Sequence, residues 1–356
     1  MSAPGPWAED PPGWRAFRVA RKRAEAARTW TLELVPEDGG PLPLARPGQY
    51  LTVGIDLEGR RQVRCYSLSH APRADRYQVT IKETRRADGA PGLVSGHVAR
   101  ELGEGARVWL RPPAGEFTID PARSGPLVLV AGGVGVTPLM SMIEAVAAAG
   151  GRREVWLLYG LRDASEHAFR ARLAELAAEP WFHPTTSYSR PSGGEEPGAR
   201  VGRLEVVTLQ EVLPPRDEPY DFYLCGPGPL LDAMTSGLDA LGVPASRVHV
   251  EVFGAPAVKP FTRRLSRRAL AAPPRVRFAA SEVEAEWDPA SASLLDFAMA
   301  QGVFFPFACA TGHCGTCASR LLAGEVDYPI PPQFAVREGS CLPCIALPRT
   351  DVTLDR

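Results

Sequence analysis

Cys309, Cys314 and Cys317 stand at Cys-x4-Cys-x2-Cys spacing, and a fourth cysteine follows at 344 or 341. Four thiolates in this order can hold two irons: plant-type [2Fe–2S] sites use this spacing, whereas structural zinc sites favour paired Cys-x2–4-Cys knuckles. Gly312 and Gly315 lie in the same loop, where backbone without a Cβ can turn its N–H groups toward sulfur. The chain has seven cysteines, an odd number, and their crowding near the C-terminus does not suit a disulfide framework.

Two further segments carry chemistry. Arg64-Cys65-Tyr66-Ser67-Leu68 offers a cation for a phosphate, an aromatic face for a planar ring and a hydroxyl for the ring edge, which are the needs of a flavin nucleotide. Gly132-Gly133-Val134-Gly135-Val136-Thr137-Pro138 follows an apolar run and opens a helical pattern. Glycines there let backbone approach a diphosphate, and the helix N-terminus favours its charge. The residue types put Thr137 at the N-cap and Pro138 at the first helical position.

The elements that must position these residues change character along the chain. From Phe17 to about Leu110, short alternating runs at Thr29–Leu34, Gln49–Ile55, Tyr77–Ile81 and Arg107–Leu110 predict an antiparallel barrel or sandwich, interrupted by one helix near Leu93–Leu102. Past Pro126 the strand Leu127–Ala131, the helix Pro138–Ala149 and the strand Val155–Tyr159 begin a strand–helix alternation that predicts a doubly wound α/β unit with a parallel sheet. A basic, proline-bearing stretch then reads as a linker, and the residues after it are acidic. The expected division is a tail at 1–12, a flavin domain at 13–123, a nucleotide domain at 124–255, a basic linker at 256–274 and an iron–sulfur domain at 275–356.

The C-terminal stretch, with Pro306-Phe307-Ala308-Cys309, Gly312-His313-Cys314-Gly315-Thr316-Cys317 and Gly324-Glu325-Val326, resembles the ferredoxin domain of oxygenase reductases. Gly339, Leu342 and Cys344 fit that family's Gly-x-x-Leu-x-Cys ending, which implies Cys309, Cys314, Cys317 and Cys344 as ligands in an α+β, β-grasp domain. Ala310 departs from the arginine common after the first cysteine.

Ahead of it, Arg64-x-Tyr66-Ser67, Val79-Thr80-Ile81-Lys82, Gly92-Leu93-Val94-Ser95 and Pro113-Ala114-Gly115-Glu116-Phe117 resemble, in order, the ferredoxin–NADP reductase superfamily, the reductase half of flavohaemoglobins included. That resemblance implies an antiparallel β-barrel holding FAD, with Gly92 to Ser95 receiving its pyrophosphate and Lys82 at the cofactor. It implies that Gly133, Gly135, Thr137 and Pro138, with Cys225-Gly226-Pro227, bind the pyridine nucleotide. Tyr66, Ser67, Cys225, Glu251 and Phe253 would flank the flavin–nicotinamide stack, the first four as its catalytic residues. Ser189-Arg190 resembles the pair that meets the 2′-phosphate in relatives using NADPH, and Arg162 would assist.

The function this implies is an NAD(P)H-dependent reductase passing electrons through FAD and a [2Fe–2S] cluster to a protein acceptor such as an oxygenase, hydroxylase, desaturase or haem protein. The alternative is a flavin and iron–sulfur redox sensor with incidental turnover. At 356 residues, with 45% hydrophobic and 23% charged residues, the chain can fill several cores. A formal net charge of −1 excludes a general pull toward nucleic acid or anionic membrane. Without a basic-then-apolar N-terminus or an apolar run of roughly 20 residues, the expectation is a cytoplasmic protein with no membrane span.

Overall fold

The computed structural model describes residues 14–253 and 273–356, except 87, 121, 122, 304, 306, 308, 309, 311, 313, 314, 330, 333 and 335. The expected tail at 1–12 and most of the expected linker at 256–274 lie outside the described residues. Two compact units are present, the first of residues up to 62 and 66–253, the second of 63–65 and 254–356.

In the first unit, strands β1 (Arg15–Ala26), β2 (Thr29–Pro36), β3 (Tyr50–Leu57), β4 (Arg60–Ser67), β5 (Tyr77–Lys82) and β6 (Arg107–Leu110) form a six-stranded sheet in the order β4-β3-β6-β1-β2-β5. Leu68, just past β4, bridges Val79 of β5 and brings the two edges together as a barrel. Alternation along each strand sends Phe17, Val19, Leu32, Leu34, Val79 and Ile81 into one core. Helix α1 (Leu93–Arg100) contributes Val94 and Val98 to it. Its C-terminal end is capped by Lys22, whose Nζ donates to the carbonyls of Val98 at 2.6 Å, Ala99 at 3.1 Å and Leu102 at 2.9 Å. A cation there meets the negative end of the helix dipole.

The same unit continues with β7 (Leu127–Gly132), α2 (Val136–Ala148), β8 (Val155–Leu161), α3 (Arg170–Leu176), β9 (Phe182–Tyr188), β10 (Arg200–Val201), α4 (Val206–Val212), β11 (Asp221–Gly226), α5 (Gly228–Ala240) and β12 (Val248–Val252). The strands lie parallel in the order β10-β9-β8-β7-β11-β12. Strand β7 is buried on both faces: Leu127, Leu129 and Ala131 pack with α2 and α3, while Val128 and Val130 pack with α4 and α5. This is the doubly wound sheet that the alternation predicts. At its opposite rim from the glycine turns, buried Asp221 takes Arg123 Nη1 at 2.7 Å, Arg247 Nη1 at 3.0 Å and Arg153 Nη2 at 3.1 Å.

The second unit holds β13 (Arg275–Phe278), β14 (Val283–Glu286), α6 (Leu294–Ala300), β15 (Ser319–Ala323), β16 (Val326–Asp327), β17 (Ser340–Cys341), β18 (Leu347–Pro348) and β19 (Val352–Leu354). Five strands run in the order β14-β13-β19-β15-β17, with β16 and β18 as a separate pair. Leu294, Leu295 and Phe297 of α6 cover this mixed sheet, the α+β arrangement expected from the family resemblance.

Candidate functional site

Strand β4 ends with Arg64 exposed, Tyr66 half-buried against the barrel core and Ser67 buried. Ser67 Oγ donates to Glu251 Oε2 at 3.5 Å. Glu251 is on β12, in register with Cys225 of the neighbouring β11. Three residues distant in sequence therefore meet where the barrel faces the C-terminal ends of the parallel strands. Burial pushes the Glu251 carboxyl up to about 8, with the Ser67 hydroxyl pulling the other way. Burial, followed by the adjacent Glu251, holds the Cys225 thiol well above its ordinary range, so it stays protonated. Phe253, two residues past Glu251, packs on the nucleotide-side core.

The turns beside this group are built for close backbone approach. A Cβ at Gly135 would lie 2.3 Å from the Cys225 carbonyl oxygen, one at Gly226 would lie 2.9 Å from the Gly132 amide nitrogen, and one at Gly132 would lie 2.5 Å from Pro227 Cδ. Gly133 has φ +54° and open space around it. Room for a ligand and bare backbone thus coincide at the entrance to α2, which fits a nucleotide diphosphate.

Capping differs from the expectation. Gly133–Gly135 form a 3-10 turn that runs directly into α2, so Gly135 is the N-cap and Thr137 and Pro138 are the second and third helical residues. Thr137 Oγ1 donates to the Val134 carbonyl at 3.0 Å instead of accepting from the helix.

Gly92 caps α1, and a Cβ there would lie 2.3 Å from Thr84 Oγ1 and 2.8 Å from Ser95 Oγ. Ser95 Oγ accepts from the Thr84 amide at 3.1 Å, which fixes the turn that presents the Leu93, Val94 and Ser95 backbone. The first amides of a helix have no partner within it and suit the FAD diphosphate.

Ser189 and Arg190 follow β9. Their amides donate to the Leu161 and Arg162 carbonyls at 2.9 Å and 2.7 Å, which places the pair beside Arg162 at the end of β8. Lys82 Nζ is not free: it is 3.1 Å from Glu166 Oε2. Glu166 is an ion-pair partner that the sequence alone does not single out, because in the run Arg162-Asp163-Ala164-Ser165-Glu166 it looks like an ordinary charged loop. The one local signal is its i,i+4 spacing from Arg162.

In the second unit, Cys317, Cys341 and Cys344 are buried in one core, while Cys309 and Cys314 lie outside the described residues. Gly312 and Gly315 have φ +76° and +67°, and a Cβ at either would come within 2.4 Å of Ile345 or Phe334. Ala310 also takes a left-handed φ of +54°. Buried thiols beside a loop of left-handed residues fit a thiolate-ligated cluster rather than a disulfide.

Comparison with known proteins gives matching modules. Residues 129–236 match the oxidoreductase NAD-binding domain, and residues 276–349 match the 2Fe-2S iron-sulfur cluster binding domain. The flavohemoprotein of Rhodopirellula baltica is 39% identical over 261 residues, which is 71% of this chain and 62% of that protein. The chain thus spans about three-fifths of the length of the curated relatives it matches. Among solved structures, the FAD/NAD binding domain of nitric oxide dioxygenase from Vibrio cholerae O1 biovar El Tor is 35% identical with a TM-score of 0.61, covering 68% of this chain and 99% of that one. Phthalate dioxygenase reductase is 27% identical with a TM-score of 0.58 and covers 97% of this chain and 98% of that one.

Proposed function

Because this chain belongs to the ferredoxin–NADP reductase superfamily, with an NAD-binding domain followed by a 2Fe-2S domain, we propose that it passes electrons from NAD(P)H to a separate oxygenase-type acceptor. It is an NAD(P)H-dependent oxidoreductase, and its cofactors are FAD and a [2Fe–2S] cluster. When bound, the flavin accepts a hydride and the cluster carries electrons singly.

The chain's own groups bind and orient. Arg64 holds the flavin phosphate, Tyr66 lies against the ring, and the Gly92–Ser95 backbone takes the diphosphate, with Lys82 nearby. Gly133, Gly135, Thr137, Pro138, Gly226 and Pro227 line the nicotinamide nucleotide, and Ser189 and Arg190 meet its adenosine end. Cys309, Cys314, Cys317 and Cys344 ligate the cluster. The domains run 13–123, 124–255 and 275–356, joined by 256–274, and the protein works in the cytoplasm, where thiols stay reduced.

One observation carries this reading: Ser67 of the barrel, and Cys225 and Glu251 of adjacent parallel strands, converge on one place. A hydroxyl, a neutral thiol and a carboxyl that holds its proton near neutrality can orient a ring edge and a nicotinamide while keeping charge away from the transferring hydride. No helix among the described residues is long and apolar enough to cross a membrane.

The test is anaerobic titration of the purified protein with NADH or NADPH, followed by assay with an added oxygenase. Loss of flavin absorbance followed by cluster bleaching, and then product formation, is expected. Protein that binds flavin and iron yet is reduced by neither nucleotide would refute the proposal.

A further inference from the structure

Ser141 is a polar residue in an apolar part of α2, flanked by Leu139, Met140, Met142 and Ile143, and only 1% of it is exposed. A serine within a helix usually turns its hydroxyl to solvent or to the carbonyl one turn back. Here it reaches the barrel instead: Ser141 Oγ donates to the His70 carbonyl at 2.9 Å and accepts from the Gly48 amide at 3.4 Å. A buried hydroxyl costs stability unless it is bonded, and both of these partners belong to the flavin side of the unit.

Both partners adjoin the residues expected at the flavin. His70 lies three residues past Ser67. The turn at Gly48 leads into Gln49, whose carbonyl accepts from the Leu68 amide at 2.9 Å. The seating of α2 on that turn is tight. Gly48 has φ +99°, and a Cβ there would lie 2.1 Å from the Phe117 carbonyl oxygen and 2.6 Å from Met142 Cε, on the helix residue next to Ser141. Toward the helix start, Ser141 is one turn from Thr137, about 6 Å along the axis and on the same face. A displacement at Ser141 therefore carries the Gly135–Pro138 entrance of α2 with it.

We infer that Ser141 is a positioning residue for hydride transfer: its hydroxyl ties the helix that opens at the nucleotide turn to the two barrel segments that flank Tyr66 and Ser67. This rests on the chain being an NAD(P)H-dependent flavin reductase. Ser141 touches neither reactant, so it acts only on their alignment.

The test is Ser141→Ala in the full-length, flavin-loaded protein, with NADH or NADPH, whichever reduces the wild type faster. Stopped flow at saturating nucleotide reads the rate of flavin reduction, and the long-wavelength charge-transfer absorbance reads how well nicotinamide and flavin stack. Misalignment by a fraction of an ångström should slow reduction by about tenfold and weaken that absorbance. Flavin content should be unchanged, and the nucleotide dissociation constant should stay within about threefold. Ser141→Thr keeps the hydroxyl, and a cavity of about 60 Å³ that Ser141 lines with Leu68 and His70 has room for the added methyl, so this variant should behave as the wild type.

Wild-type reduction and charge transfer in Ser141→Ala would overturn the inference, as would a loss matched by equally weakened nucleotide binding or a threonine variant as slow as the alanine one. If Ser141→Ala folds poorly, Ser141→Cys keeps the volume with a much weaker donor. Slower reduction is then expected in the same direction, and an unchanged rate counts against the idea. Wild-type protein whose bound flavin is reduced by neither nucleotide would instead defeat the underlying reading of the chain.

Discussion

The carboxyl of Glu251 gives the sharpest test of the site. Burial raises it from 4.5 to about 8, so folding favours its neutral form. The stability tied to that neutral form is fully present below pH 4.5 and is lost as pH climbs through about 8. Fully desolvated, a carboxyl moved that far costs roughly 3 kcal/mol at pH 7. Water reaches part of the group, so about 1–2 kcal/mol is the amount to look for. Glu251→Gln keeps the shape and removes the charge. The variant should melt about 2–6 °C above the wild type at pH 8.5, and the gap should close toward pH 5. Scanning fluorimetry of the two proteins from pH 5 to 9, each in the same flavin-loaded state, reads this directly. A melting difference that stays constant with pH would mean that the carboxyl titrates in the ordinary range, and the neutral-acid account of the site would fall.

Other perturbations probe separate parts. Gly135→Ala drives a Cβ to within 2.3 Å of the Cys225 carbonyl oxygen, so it should cost about 1–3 kcal/mol and raise the KM for either nucleotide, as seen in melts and initial rates. Asp221→Asn removes the counter-charge from Arg123, Arg153 and Arg247 and should destabilise the first unit by about 3–5 kcal/mol in denaturant unfolding. Cys344→Ser should abolish the visible absorption of the cluster while Cys341→Ser preserves it; the reverse result would exchange their roles.

Much of the architecture was legible because local pattern and tertiary position agree. Alternation at Thr29–Leu34 and Tyr77–Ile81 marks barrel strands, and the continuous apolar run Leu127–Ala131 marks a strand buried on both faces. The long strand β1 was harder: Arg21, Lys22, Arg23 and Glu25 give its second half the look of a surface loop, although Lys22 and Glu25 make specific bonds. The start of α2 was misplaced because the preceding glycine turn is itself helical, which shifts Thr137 inward.

At the candidate site, motifs bring out Ser67, Cys225 and Glu251 singly, but nothing in their spacing says that they touch. The grouping of Arg28, Lys82, Arg162 and Glu166 joins three separate stretches of chain, and that kind of proximity leaves no periodic trace. Ion pairs across a fold depend on register and loop path, which composition does not record.

The glycine contacts between the ends of β7 and β11 also limit how this enzyme could change. With Gly132, Gly135 and Gly226 packed backbone to backbone, almost any side chain added there must push two strands apart. Variation is therefore easier at the loops after β8 and β9, where Arg162 and Arg190 are exposed. Any engineering of this chain should leave these three glycines untouched.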